Sequence, residues 1–216
     1  PRQLQIYQAL GSAPPQFAHL PMILGPDKTR LSKRHGATSV EAYKEMGYFP
    51  EAMVNYLARL GWSHGDQEVF TLQELVEKFS LEPVGKSAAI FNPEKLLWLN
   101  AHYIKTYEPG RLGALFGEYL TKQAGDRLPK SPDPAKLRAV AAALNERAKT
   151  LVEMAEMGAC YFLPAEAIPI DEAARKKFLT SKALPVLTKL RKALAEVSTF
   201  DEPGIEPIFK EILSQE

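Results

Sequence analysis

Apolar positions recur three and four residues apart over most of this chain, and polar caps with glycine or proline breaks divide them into separate helices. Pro1 to Leu10 reads as a first helix closed by Gly11, with proline at the first helical position. A Pro14-Pro15 loop follows, then a short extended run from Phe17 to Leu24. Thr38-Ser39-Val40-Glu41 has capping-box spacing and opens a helix that ends at Gly47. Pro50 opens the next, with Met53, Tyr56, Leu57 and Leu60 on one stripe and Gly61 as its stop. Thr71-Leu72-Gln73-Glu74 is a second box, leading a helix to about Phe79. Asn92-Pro93 caps a helix through Leu96, Leu97, Leu99 and Ile104.

Pro109-Gly110 punctuates a boundary between Thr106 and Arg111. Beyond it the pattern is purely helical. Leu112, Leu115, Phe116, Tyr119 and Leu120 form one stripe. A polar linker runs from Gly125 to Pro134, and Asp133-Pro134 starts a helix to about Arg147. Thr150 to Glu153 is a third box, ahead of Met154, Met157 and Tyr161. Asp171 and Ser181 read as further caps, and Pro207 as the start of the last helix. The fold class this predicts is mainly α, with one small extended element before residue 25. Neither a repeat nor a low-complexity tract interrupts it.

Composition narrows the picture. Apolar residues make up 45% of 216, enough for a real core. The formal net charge of +1 gives no global field for nucleic acid, so any RNA contact must come from local patches. The single cysteine, Cys160, excludes an internal disulfide and lies in an apolar stretch that reads as core. His19, His35, His64 and His102 lack ligand spacing, so no metal site is expected. No apolar run reaches membrane-spanning length and no signal peptide is visible, which fits a reducing, cytoplasmic setting. Trp62 follows a helix stop and reads as half core; Trp98, Tyr103 and Tyr107, at helical spacing, read as core.

The chemistry-bearing stretch is Thr29-Arg30-Leu31-Ser32-Lys33-Arg34-His35-Gly36. Cations at 30, 33 and 34 surround a small hydroxyl, and a glycine follows. The loop lies between an extended run and a helix start, where backbone N–H groups and lysine charge can meet phosphate. By spacing alone it is equally a solvated basic loop.

The stretch resembles the KMSKS signature of class I aminoacyl-tRNA synthetases, in the form typical of glutamyl-tRNA synthetases, with Arg30 in place of the usual first lysine. "FAHLPMILGPDKTRLSKRHGA", "MGYFPEAMVNYLARLGWSHGD", "FNPEKLLWLNAHYIK" and "ERAKTLVEMAEMG" resemble the bacterial glutamyl enzymes. The resemblance is dense to about Lys105 and looser after. It implies a stem-contact-fold domain and the end of the catalytic region over 1–108, then a helical-bundle anticodon-binding subdomain over 109–216. Glutaminyl enzymes share the loop but read the anticodon with β-barrels, which the uninterrupted helical pattern disfavours.

The resemblance also implies roles. ATP, carried with Mg2+, would meet Arg30, Leu31, Ser32, Lys33, Arg34 and His35, with Lys33 the catalytic phosphate lysine and Leu31 and His35 near the adenine. Its partners would be tRNA(Glu), ATP and L-glutamate, in a monomer without a membrane. Contacts to tRNA are expected at Trp62 and Ser63, and on the basic tract Arg175, Lys176, Lys177, Lys182, Lys189, Arg191 and Lys192, which is otherwise a solvated face. The alternative is a free-standing tRNA-binding module that keeps the loop without catalysis.

No H-x-G-H occurs in the sequence, so the family's HIGH-bearing nucleotide-binding half is expected upstream of residue 1, and part of the helical region beyond Glu216. This chain alone should therefore show no glutamate-dependent pyrophosphate exchange and no tRNA charging. Turnover above background, with host synthetase excluded, would contradict that expectation.

Overall fold

Side-chain caps set most of the helix starts in the computed structural model, which describes residues 2–36, 39–128 and 132–214. Eleven α-helices and one two-stranded sheet form among the described residues: α1 (Arg2–Ala9), β1 (Ile23–Leu24), α2 (Val40–Glu45), α3 (Pro50–Arg59), α4 (Leu72–Lys78), β2 (Ala89–Ile90), α5 (Pro93–Thr106), α6 (Pro109–Ala124), α7 (Pro134–Leu144), α8 (Leu151–Gly158), α9 (Glu172–Phe178), α10 (Ala183–Ala195) and α11 (Glu202–Ser214). Strands β1 and β2 pair in parallel, Ile23 with Ala89 and Leu24 with Ile90.

Thr71 and Glu74 complete a reciprocal box: Glu74 N–H donates to the threonine hydroxyl at 3.1 Å, and Thr71 N–H to the carboxylate at 2.8 Å. Asn92 accepts from Glu94 and Lys95, Asp133 from Ala135 and Asp171 from Ala174. At Thr150 the hydroxyl takes Glu153 N–H, but the Glu153 carboxylate reaches one residue further back, to Lys149 N–H. Ser39 caps α2 by accepting from Ala42 at 3.2 Å; Thr38 lies outside the described residues.

Residues 1–166 and 167–216 form two compact units. In the first, α3, α5, α6, α7 and α8 enclose Phe49, Ile104, Phe116, Leu120, Leu144 and Met154, so one core draws on both sides of residue 108. A second cluster holds Tyr48, Met53, Tyr56, Phe91, Leu96 and Leu99, and a third Trp62, Phe70 and Leu75. Two buried amides tie the helices together. Asn55 donates to the Glu68 carbonyl and accepts from Phe70 N–H at 2.7 Å. Tyr103 places its hydroxyl 2.9 Å from the Asn55 oxygen; burial pushes that hydroxyl up to about 12, so it keeps its proton. Asn100, fully buried, accepts from Phe49 N–H at 2.8 Å and donates to the Lys149 carbonyl at 2.6 Å. The turn between α2 and α3 is closed by Gly47 at φ +84°. A Cβ there would lie 2.6 Å from Val152 N. The second unit pairs α10 with α11.

Several expectations fail for identifiable reasons. Ser181 does not cap α10: Lys182 holds the cap position and makes no side-chain capping bond. The last helix starts at Glu202, not Pro207, because Asp201 accepts from Gly204 N–H at 2.9 Å. Pro203 then sits in the first turn, and Pro207 forfeits one interior bond. Cys160 is exposed, not core. The chain leaves α8 through a tight 3-10 turn at 159–161, which swings Phe162 and Leu163 inward instead. Trp98 is 50% exposed, because the inward stripe of α5 runs through Leu96, Leu99, Asn100 and Ile104. Trp62 is buried rather than half-buried, at 3% exposure.

Replacing Asn100 by leucine would orphan both Phe49 N–H and the Lys149 carbonyl. Such a variant should lose about 3 kcal/mol of stability, read as a lower midpoint in urea. An unchanged midpoint would show that the amide crosslink contributes nothing.

Candidate functional site

The basic loop grows directly out of β1. Beyond Leu24 the chain reverses through Gly25-Pro26-Asp27-Lys28, with Lys28 N–H donating to the Gly25 carbonyl at 3.0 Å and Gly25 N–H to the Thr29 carbonyl at 2.8 Å. Lys28 adopts φ +60°. Leu31 N–H then returns to the Ile23 carbonyl at 3.0 Å, and the Leu31 side chain packs on the Tyr48–Met53–Phe91 cluster. The loop is thus rooted in the core through one apolar side chain.

After Ser32 the chain makes a 3-10 turn, Lys33–His35, and the imidazole of His35 folds back under the loop. Its Nδ1 accepts Ser32 N–H at 3.0 Å. A nitrogen that accepts a backbone proton carries none itself, so the ring proton sits on Nε2. Nε2 lies 3.1 Å from Asp27 Oδ1, its acceptor. The ring fills the space beneath Gly25, where a Cβ would come within 2.7 Å of it. Asp27 also accepts from Thr29 N–H at 3.0 Å and from the Thr29 hydroxyl at 2.8 Å. Arg34 reaches Asp27 Oδ2 at 3.4 Å and donates to the Thr29 hydroxyl. The backbone bond from Thr29, then its hydroxyl, then His35, hold the Asp27 carboxyl far below the usual carboxylate range. These contacts belong to a folded carboxylate with a depressed pKa. They are fully present above the ordinary carboxylate range and are lost as pH falls toward the folded value.

The three cations therefore divide. Arg34 is engaged by Asp27 and Thr29 of the loop itself, although its side chain stays exposed. Arg30 and Lys33 are exposed and make no ion pair or side-chain hydrogen bond among the described residues. Ser32 is exposed, and Leu31 and His35 are partly buried. Sequence reasoning gave no role to Gly25, Asp27 or Thr29. Their signal was present as Gly-Pro-Asp-Lys-Thr, in which the aspartate binds the amide two residues on.

The other candidate residues lie apart. Trp62 packs among Phe70, at 5.4 Å, and Phe79, at 5.5 Å, with His64 stacked on it at 6.0 Å and its indole N–H unpartnered. Ser63 beside it is exposed. In the second unit Arg175, Lys176 and Lys177 end α9, Lys182 precedes α10, and Lys189, Arg191 and Lys192 lie along it. All are exposed, and Arg175 pairs with Glu172 at 3.5 Å. Among the described residues no group of His, Cys, Asp and Glu could hold a metal ion, and no helix is long and apolar enough to cross a membrane.

Residues 1–98 match the catalytic domain of the class I tRNA synthetases (E and Q), and residues 111–216 an anticodon-binding domain. The chain is 54% identical over 213 residues to the glutamate–tRNA ligase of Syntrophotalea carbinolica, covering 99% of itself and 44% of that protein. Against the glutamate–tRNA ligase of Geobacter sulfurreducens it is 54% identical over 215 residues, covering 45% of that protein. The crystal structure of a glutamate tRNA ligase from Elizabethkingia meningosepticum, in complex with its amino acid, superposes on 99% of the chain with a TM-score of 0.75 at 27% identity, covering 45% of that chain. The chain thus spans a little under half the length of the relatives it matches.

If the loop is braced as described, the neutral His35 ring should carry its proton on Nε2 in long-range 1H–15N spectra, and the Ser32 amide should be protected from exchange. Asp27→Ala should reduce the protection of the Ser32 amide by freeing the ring that it holds. A ring protonated on Nδ1 would contradict the bracing.

Proposed function

We propose, for a chain that belongs through residues 1–98 to the class I (E and Q) tRNA synthetase catalytic domains and through residues 111–216 to the anticodon-binding domains, that it supplies the phosphate-facing loop and the tRNA-holding helices of a glutamate–tRNA ligase. The observation that carries this reading is the division of charge in the loop. Arg34 and His35 brace it on Asp27, while Arg30 and Lys33 stand free on the outside.

The reaction joins glutamate to the 3′ end of tRNA(Glu) in two steps. The glutamate carboxylate attacks the α-phosphorus of ATP; the bond to the β-phosphate oxygen breaks and pyrophosphate departs. The tRNA terminal hydroxyl then takes the acyl group and AMP leaves. Negative charge grows on the leaving pyrophosphate in the first step. Mg2+ would travel with the nucleotide phosphates. Lys33 is the residue assigned to that growing charge: a compact ammonium on a short turn can approach a phosphate oxygen closely. Arg30 supports the same field. Leu31 anchors the loop to the core and Ser32 opens the turn that carries Lys33. Ser63, beside Trp62, and the cations of α9 and α10 are assigned to tRNA phosphates, with residue 108 as the division between the stem-contact and anticodon-binding parts. We place the protein in the cytoplasm, acting as a monomer. The alternative of a tRNA-binding module without catalysis is not favoured, since glutamate–tRNA ligases match the chain along its whole length.

In the ligase that contains this chain, Lys33→Ala should slow activation about a hundredfold, equivalent to about 3 kcal/mol of transition-state stabilisation. Affinity for ATP should change less, and affinity for tRNA hardly at all. Lys33→Arg should recover little. Pre-steady-state activation kinetics separate these effects. A variant that raises only the ATP Kd would make Lys33 a ground-state anchor.

A further inference from the structure

On the side of α5 turned away from the core, a groove of about 250 Å³ runs between that helix and the turn joining α7 to α8. Trp98 stands on its α5 wall, half exposed, with the His102 ring 6.4 Å away and tilted by 33°. Arg147 and Lys149 form the opposite wall. Both are exposed, and neither side chain has an ion pair or hydrogen bond among the described residues. The one carboxylate lining the groove, Glu146, is neutralised by Lys105 at 2.7 Å. The frame beneath is fixed: Asn100 holds the Lys149 carbonyl, and Ala148 is buried.

A single exposed tryptophan is ordinary. Here it shares a groove with two unpaired cations in a chain whose overall charge is close to zero. We propose that this groove is an RNA contact, in which Trp98 stacks on an unpaired base and Arg147 and Lys149 hold the phosphates on either side of it. The proposal rests on the tRNA reading above and adds a surface to it that is separate from the loop and from the α9–α10 tract. The chemistry selects the ligand. An acidic polypeptide would satisfy the cations but leave the indole face idle. A regular duplex would offer phosphates and no free base. A folded RNA with an unstacked nucleotide satisfies both walls, and base stacking on an aromatic ring is tolerant of sequence.

The two tryptophans make the test direct. Trp62 is buried and Trp98 exposed, so acrylamide-accessible emission reports Trp98. Adding a tRNA(Glu) transcript to the unsubstituted chain should shield that emission. Trp98→Ala should weaken binding about tenfold, and Trp98→Phe should restore most of it. Arg147→Gln with Lys149→Gln should reduce the slope of log affinity against log salt by about 1.5. Thermal melts of each variant confirm that the fold persists. Unchanged affinity and slope in every variant, with the unsubstituted chain still binding, would overturn the groove and leave the tRNA reading standing. No binding by the unsubstituted chain at low salt would overturn both. Poly-glutamate competing as well as RNA would reduce the groove to an anion patch and overturn the stacking.

Discussion

One buried amide holds the larger unit in register. Asn100 is the point where α5, the start of α3 and the turn before α8 meet, and its two hydrogen bonds satisfy backbone groups that would otherwise be orphaned. The neighbouring contacts extend the same junction. Leu151 N–H donates to the Gly47 carbonyl at 3.0 Å, and the Tyr119 hydroxyl donates to the Lys44 carbonyl. The turn carrying Tyr48 and Phe49 is therefore clasped from three helices. Tyr48 sits in the cluster on which Leu31 packs, so the turn that Asn100 holds also supplies part of the seat of the basic loop.

The loop combines a stiff base with free charge. Its bracing uses one carboxylate against a threonine, an imidazole and a guanidinium. That carboxylate neutralises the arginine nearest to it while leaving the field of Arg30 and Lys33 intact. A loop with three free cations would repel itself and spread over many conformations. Pairing one of them with Asp27 lowers that repulsion in the backbone from which the other two project. The Gly25 backbone is part of the same device, because no side chain fits between it and the His35 ring.

What the sequence made legible was local. The caps at Thr71, Asn92, Asp133, Thr150 and Asp171 lie within three residues of the amides they bind, so spacing alone reveals them. The same locality misled at Pro207, where a proline inside a helix imitates a proline at its start. Long-range features left no periodic trace. Nothing near Asn100 announces partners 51 and 49 residues away. The exposure of Trp98 depends on which face of α5 meets the core, and that is decided by residues on other helices. In the loop the three cations drew attention, whereas the arrangement depends as much on Asp27, whose partners lie up to eight residues away.

The parallel pairing of β1 with β2 has a consequence for how the chain acquires its order. The strand that roots the loop meets a partner 66 residues later in the sequence, Ile23 beside Ala89 and Leu24 beside Ile90. The helices α3 and α4 close within the intervening segment and can form early, whereas this short ladder waits for the whole interval to be made and folded back. At ribosomal speeds the interval takes roughly three to thirteen seconds. During that time the side of Leu24 that faces β2 stays unpaired in the nascent chain, while its other side can already close on Arg30. The side of β1 that faces β2 is thus closed only after residue 90 has been made, and every substitution that slows the arrival of β2 also lengthens the time for which that edge is open to foreign pairing.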